Sequence, residues 1–262
     1  MVGDLAQIVS LTSYGNLLLT DCSSSSTARL LNQQCLSGVV RFMEFLREGR
    51  IVADHPSDWI LHLAGRQAQA IRMAVLKGKG DLPDHIAASF EGGIATRLQI
   101  DFKSHSEFWL AKSIPKADEG WTVILCCVPV QQSDSATVPV PTLHQAALRF
   151  SRALRHSRNY TVRHRLSFFA ELFSNIDLML DQNDLPLSDR LPQRGYCYDA
   201  HRLIQAAERA WVFGGMGSWN DYADEESLSM LYDAVVSSIL SAANSFDRTA
   251  ALQAHQELSI PR

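Results

Sequence analysis

The chain has few cysteines, and their spacing suits neither crosslinking nor metal binding. Five occur, at Cys22, Cys35, Cys126, Cys127 and Cys197, an odd number with no Cys-x-x-Cys pair. This excludes a disulfide framework and reads as reduced thiols. The histidines contain no His-Glu-x-x-His, and His55 with His62 is not a ligand spacing, so no metal and no cofactor are expected. Long apolar runs are missing too: stretches such as 123–130 reach eight residues, against the ~20 that a bilayer-spanning helix needs. No Lys or Arg precedes Arg29, so the basic start of a secretory leader is absent. Leu19-Thr20-Asp21-Cys22 offers a lipoprotein-type Cys behind a charged approach, and a cytoplasmic location is expected. A strong excess of one charge is also lacking, since the formal net charge is −4. Bulk attraction to a polyanion is therefore disfavoured as a mode of binding.

What the chain does have is an ordinary globular composition, 46% hydrophobic and 20% charged, enough apolar surface to bury and enough charge to stay dissolved. The charge is segregated. Residues 1–138 carry 14 acidic and 12 basic side chains, 139–170 carry six Arg and no acid, and 171–262 carry 14 acidic and six basic.

The hydrophobic period divides the chain in the same way. Val39–Phe45, Ala70–Leu76, Ile86–Phe90, Ala95–Phe102 and Trp121–Val130 read as strands, with a short helix over Trp59–Leu63 behind the turn His55-Pro56-Ser57-Asp58. Gln7–Leu19 shows no clear period, and Ser23–Ser26 reads as a loop. Short connections favour antiparallel neighbours. Gln131–Thr142, polar and Pro-containing, has a linker's composition. Beyond it come four stripes of period 3.6: Leu143, Ala146, Ala147, Phe150, Leu154; Leu166, Phe169, Ala170, Phe173, Ile176, Leu180; Leu203, Ile204, Ala207, Trp211; and Leu228, Leu231, Tyr232, Val235, Val236, Ile239. The expected fold is α+β: an N-terminal antiparallel sheet with one or two helices over residues 1–134, and a C-terminal helical domain over 143–262.

Three constellations bear on function. Asp84 with Asp101 and Lys103 has the outline of a magnesium-dependent, restriction-type nuclease site, two carboxylates for the metal and a Lys for the phosphate. Each half of that pattern is expected about once by chance in a chain this long. A basic run, Arg149, Arg152, Arg155, His156, Arg158, Arg163, His164 and Arg165, suits a nucleic-acid adaptor, while Asp177, Asp181 and Asp184 are available to neutralise it. Gly217-Ser218-Trp219 lacks the second Gly of a nucleophile elbow, and Cys126-Cys127 sits in an apolar strand where burial raises a thiol's pKa. The expectation is a binding protein and not an enzyme.

The third constellation is Trp211-Val-Phe-Gly-Gly-Met-Gly-Ser-Trp-Asn-Asp221. Its glycines follow a helix instead of a strand, which argues against a phosphate loop and for a helix end: Gly214 or Gly215 at the left-handed position, and Ser218, Asn220 or Asp221 capping the next helix. Trp211, Phe213, Met216 and Trp219 are residue types enriched at interface hot spots. This run, on a chain whose sheet-forming half precedes a helical half, resembles uncharacterised bacterial proteins associated with polymorphic and type VI toxin immunity. The resemblance implies a cytosolic inhibitor that occludes the active site of a cognate protein toxin. Its contact residues would be Trp211, Phe213, Met216 and Trp219, with the carboxylates Asp221, Asp224, Glu225 and Glu226 facing a basic partner surface.

Overall fold

The computed structural model describes residues 5–37, 40–76, 95–116, 120–129, 138–214 and 217–258. The strand expected at Ile86–Phe90 and most of the linker 131–142 lie outside them. The fold is mixed α/β, with eight helices and one six-stranded sheet among the described residues. No described helix is long and apolar enough to cross a membrane.

The N-terminal segment forms two helices that period-reading does not anticipate. Helix α1 (Leu5–Thr20) is buried on every side up to Leu19, so it has no polar face to set a period. Its small polar side chains are satisfied locally: Ser10 Oγ donates to the Ala6 carbonyl and Thr12 Oγ1 to the Ile8 carbonyl. Helix α2 (Ser25–Cys35) is capped by Ser24, whose Oγ accepts from the Thr27 amide.

Strands β1 (Val40–Arg47) and β2 (Arg50–Ala53) form a hairpin. Its two-residue turn, Glu48-Gly49, has positive φ at both positions (53° and 75°), the mirror-image geometry that matches strand twist. Helix α3 (Pro56–Gly65) starts on Pro56, and α2 caps it from outside: Asn32 Oδ1 accepts from the Ser57 amide, 2.9 Å. Strands β3 (Ala70–Val75), β4 (Thr96–Asp101), β5 (Ser106–Lys116) and β6 (Gly120–Val128) then run antiparallel in sequence, giving the order β2-β1-β6-β5-β4-β3.

The sheet departs from the all-antiparallel expectation at one pair, since β1 and β6 are parallel. Helix α3 is the cause. It carries the chain from β2 at one edge to β3 at the other, so the meander returns to β1 in the same direction as β1 itself, as a crossover of this length allows. Within the sheet's inner face, Trp59 of α3 stacks on Phe45 (4.6 Å between centroids) and meets Trp109 edge-on (5.2 Å).

Strand β3 is an edge, and two asparagines close it. Asn16 of α1 accepts from the Ile71 amide (2.8 Å) and donates to the Ile71 carbonyl (2.7 Å). Asn244 does the same for Met73, both at 2.9 Å, and the Val138 amide donates to the Val75 carbonyl. Alternate residues of an edge strand point their backbone groups outward, and here both groups of Ile71 and Met73 and the carbonyl of Val75 are paired. Gly15 permits this approach: a Cβ there would lie 2.8 Å from Ile71 Cδ1 and 2.9 Å from Ile60 Cδ1.

The C-terminal half holds α4 (Leu143–Arg163), α5 (Ser167–Met179), α6 (Tyr198–Arg209), α7 (Glu225–Ala243) and α8 (Arg248–Leu258). Thr142 and Gln145 form a reciprocal capping box at the start of α4. The four apolar stripes face inward, and buried residues from the sheet, α1 and these helices belong to one hydrophobic cluster. Residues just before α4 are tied to both sides, through Val138 to β3 and through Ser241 Oγ, which donates to the Pro141 carbonyl at 2.6 Å.

Candidate protein-docking site

The glycine- and tryptophan-rich segment runs from the end of α6 to the start of α7. Helix α6 ends with Ala210 at φ −82°, so no glycine serves as its left-handed cap; Gly214 (φ 117°) and Gly217 (φ 79°) instead turn the chain further on. A short 3₁₀ turn, Trp219–Asp221, follows. The cap of α7 is Asp224, whose carboxylate accepts from the Ser227 amide at 2.8 Å, and not Ser218, Asn220 or Asp221.

Two of the expected contact residues belong to the core. Trp219 is 0% exposed and is the hub of an aromatic cluster, with ring centroids 5.0 Å from Phe173, 5.2 Å from Phe169 and 5.7 Å from Tyr160. Phe213 is buried against Tyr232 of α7 at 5.5 Å, with half-buried Trp211 edge-on beside it at 5.8 Å. These rings pin the segment onto α4, α5 and α7, which leaves Trp219 and Phe213 no surface to offer a partner. Met216 lies outside the described residues.

The surface beside this cluster is apolar nonetheless. The turn between α4 and α5 is tight, with Arg165 in the left-handed region (φ 58°) and Leu166 preceding the first turn of α5. There Phe169 points inward and Phe168 outward, 71% exposed. Phe168 forms one wall of a cavity of about 300 Å³, completed by Phe169, Trp211, Val212, Phe213 and the backbone around Gly217. Val162, 62% exposed, and Tyr222 extend the apolar area. Phe168 falls off the inward stripe of α5, which is the signal by which sequence reading could have found it.

All four carboxylates of the segment are exposed, and Asp221 and Asp224 among them have local structural roles. Asp221 Oδ2 accepts from the Gly217 amide at 2.6 Å and closes the turn. The Asp224 cap bond, with the Ser227 hydroxyl and the charges of His156 and Arg163, holds that carboxyl below its ordinary range. Glu225 and Glu226 stand in the first turn of α7, where the helix dipole favours them.

Of the two nuclease carboxylates, the described one, Asp101, supplies no open metal site. Asp84 lies outside the described residues. Asp101 is at the end of β4, and its carboxylate is taken by Arg72 Nε (2.8 Å), Gln99 Nε2 (2.7 Å) and Ser106 Oγ (2.8 Å). Burial would raise this carboxyl, but those donors outweigh it and keep it ionised below the usual range. Lys103 lies in the bend after β4: the Phe102 amide donates to the His105 carbonyl and turns the chain immediately after Asp101. Among the described residues no group of three or more His, Cys, Asp or Glu is placed to hold a metal.

A charge cluster that sequence reading missed sits on the inner face of the sheet. Glu107 is 9% exposed and lies between Arg66, which donates to both of its oxygens, and Arg47 at 3.2 Å. Burial raises its pKa and the two guanidiniums more than reverse this, holding it low. Desolvation, with the charges of Arg66 and Arg47, pushes the neighbouring His62 below its usual value. The group joins the end of α3 to β1 and β5, and its carboxylate is saturated. Elsewhere a polar cavity of about 480 Å³ between α2 and α6 is lined by Gln34, Ser37, Ser188, Arg190 and Glu208, the last two paired at 2.8 Å.

Comparison with protein-family models, with curated protein sequences and with solved structures gave no match. The functional reading therefore rests on the chain's own residues.

Proposed function

We propose that this chain is a binding protein of the toxin-immunity type, which inhibits a cognate protein toxin by lying over its active site. The observation that carries the reading is Phe168, a large apolar ring 71% exposed at the lip of an aromatic-walled cavity, with Val162 exposed on the adjoining helix. An apolar patch beside a preformed cavity, rimmed by charge, is the composition of a protein interface core. The resemblance of the 211–221 run supports the same reading, with one change of role: Trp219 and Phe213 fix the platform, while Phe168, Val162 and Tyr222 present it.

The test is co-expression with the products of adjacent genes, followed by co-purification and a growth-protection assay. A neighbouring product that is toxic alone, harmless with this chain and retained on it supports the reading. Phe168→Asp and Val162→Asp should then abolish retention and protection without changing the unfolding midpoint. Absence of a retained or neutralised neighbour refutes it.

A further inference from the structure

Helix α4 carries a cationic ridge that the described residues compensate only in part. Arg149, Arg152, Arg155, Arg158, Arg163 and Arg165 are all exposed. Of the three aspartates available to neutralise them, Asp177 alone does so, accepting from Arg155 Nε at 3.2 Å and from Ser151 Oγ at 2.6 Å. Helix α5 stops at Met179, so Asp181 and Asp184 leave its face in the chain that follows. The guanidiniums of Arg149, Arg152, Arg158 and Arg165 meet no carboxylate among the described residues. Arg163 Nε donates only to the Asn159 carbonyl, while its charge reaches Asp224.

The ridge is not purely ionic. Leu148 and Val162 are exposed on it, and Phe168 follows at the next helix start. At 3.6 residues per turn Leu148, Arg152, Arg155, Asn159 and Val162 form one outward stripe, opposite the buried Ala146, Phe150, Ala153 and Tyr160. From Arg149 to Arg163 the rise of a helix gives a length of about 21 Å.

Two kinds of anionic partner would satisfy such a ridge, and its composition selects between them. Every cation from 139 to 170 is Arg and none is Lys; Arg is enriched and Lys depleted at protein interfaces, where the planar guanidinium pairs with carboxylates. Exposed Leu and Val between the arginines suit apolar side chains of a protein better than a phosphate backbone. The net charge of −4 opposes long-range approach of a polyanion but matters less to a short-range interface.

We propose that the outer face of α4, from Leu148 through Arg152 to Val162, with Arg149 flanking it on one side and Arg158 on the other, docks an acidic surface of a protein partner. The inference rests on the binding-protein reading above and sets the partner's charge opposite to the basic surface first expected of it. The carboxylates at 221–226 then serve the turn and the helix start, and the arginines serve the partner.

The experiment uses the full chain with two labelled probes, poly-L-glutamate and duplex DNA, followed by fluorescence anisotropy across a salt series. The triple reversal R149E/R152E/R158E is compared with R29E/R41E/R50E, which reverses three exposed arginines elsewhere. Circular dichroism establishes that both variants are folded. Saturable polyglutamate binding, weakened about tenfold or more by the α4 reversal and less than about twofold by the control, supports the proposal. Equal losses in the two variants, no polyglutamate binding, or retention on DNA at a salt concentration that releases polyglutamate overturns it. Should a toxin partner be retained equally by wild type and the α4 variant, this inference fails and the proposed function stands. Polyglutamate binding without any such partner has the converse meaning.

Discussion

Replacing Trp219 and Phe168 in turn separates the platform from the surface it presents. Trp219 is fully buried and contacts three aromatic rings from two helices, so Trp219→Ala removes the largest side chain of that cluster and opens a cavity. Large-to-small changes of this kind cost about 3–5 kcal/mol. In a domain of this size that lowers the melting midpoint by about 10 °C. Its indole N–H is buried without a hydrogen-bond partner, so Trp219→Phe loses volume but also removes an unsatisfied donor and should cost about 1–2 kcal/mol. Phe168 is mostly solvated, and Phe168→Ala should stay within about 0.5 kcal/mol of wild type. Urea unfolding followed by far-ultraviolet circular dichroism measures all three without relying on tryptophan emission. Should Trp219→Ala fall within 1 kcal/mol of wild type, or Phe168→Ala lose more than about 1.5 kcal/mol, the inside and outside of this segment have been assigned the wrong way round.

At the sheet edge, Asn16→Ala and Asn244→Ala each strip two backbone groups of their partners and should destabilise by about 1–3 kcal/mol in the same unfolding assay. Asn16→Asp should be worse than Asn16→Ala, because it sets a charge against the Ile71 and Thr12 carbonyls that the amide now serves. His201 is 1% exposed and burial lowers its pKa; neither ring nitrogen closes a hydrogen bond of ordinary geometry, though the Ser188 and Pro192 carbonyls lie close enough to offset part of the effect. The unfolded chain therefore takes up the proton first, so stability is level above pH 6.5 and declines as the pH falls below that value. His201→Leu should flatten the decline between about pH 6.5 and 5, measured as unfolding midpoint against pH. Alkylation should modify exposed Cys22 and Cys197 first and leave Cys35, whose thiol burial pushes far up, unmodified until urea unfolds the chain; mass spectrometry of the peptides reads the order.

Much of the helical half is legible because its helices lie at a boundary between core and water. Helices α4 to α6, and α7 as far as Asp233, alternate buried and exposed positions at 3.6 residues, and the four stripes read from the sequence are the buried and half-buried ones. Helix α1 has no such boundary: it is enclosed by the sheet, α2, α3 and α7, and Gln7, Ser10, Thr12 and Asn16 are buried beside its leucines. A residue pattern records a helix face only where the faces differ. Strand β5 escaped for a related reason. Glu107 points into the core next to Trp109, which breaks the apolar alternation, and the two arginines that make this tolerable come from distant positions, 47 and 66. The parallel pairing of β1 with β6 depends on where α3 crosses, and no local spacing encodes that.

The same limit applies to the charged groups. Carboxylates at 221–226 stand out in the sequence as a dense acidic run, but density says nothing of whether a carboxylate already accepts a hydrogen bond. Asp224 caps α7 and Asp221 holds the Gly217 turn, so part of that charge is spent on local structure. In the sequence three aspartates, Asp177, Asp181 and Asp184, follow the arginines of α4. Balance requires a shared face as well as proximity along the chain, and α5 ends two residues before Asp181. Only Asp177, one turn inside the helix, can reach across to Arg155. A cationic ridge that the described residues compensate only in part costs self-repulsion, and pairing with a partner's carboxylates would relieve it. If stability of the isolated chain rises on replacing Arg152 and Arg158 by Gln while partner retention falls, the ridge is maintained for binding; if stability falls instead, the arginines serve the fold and the docking argument fails.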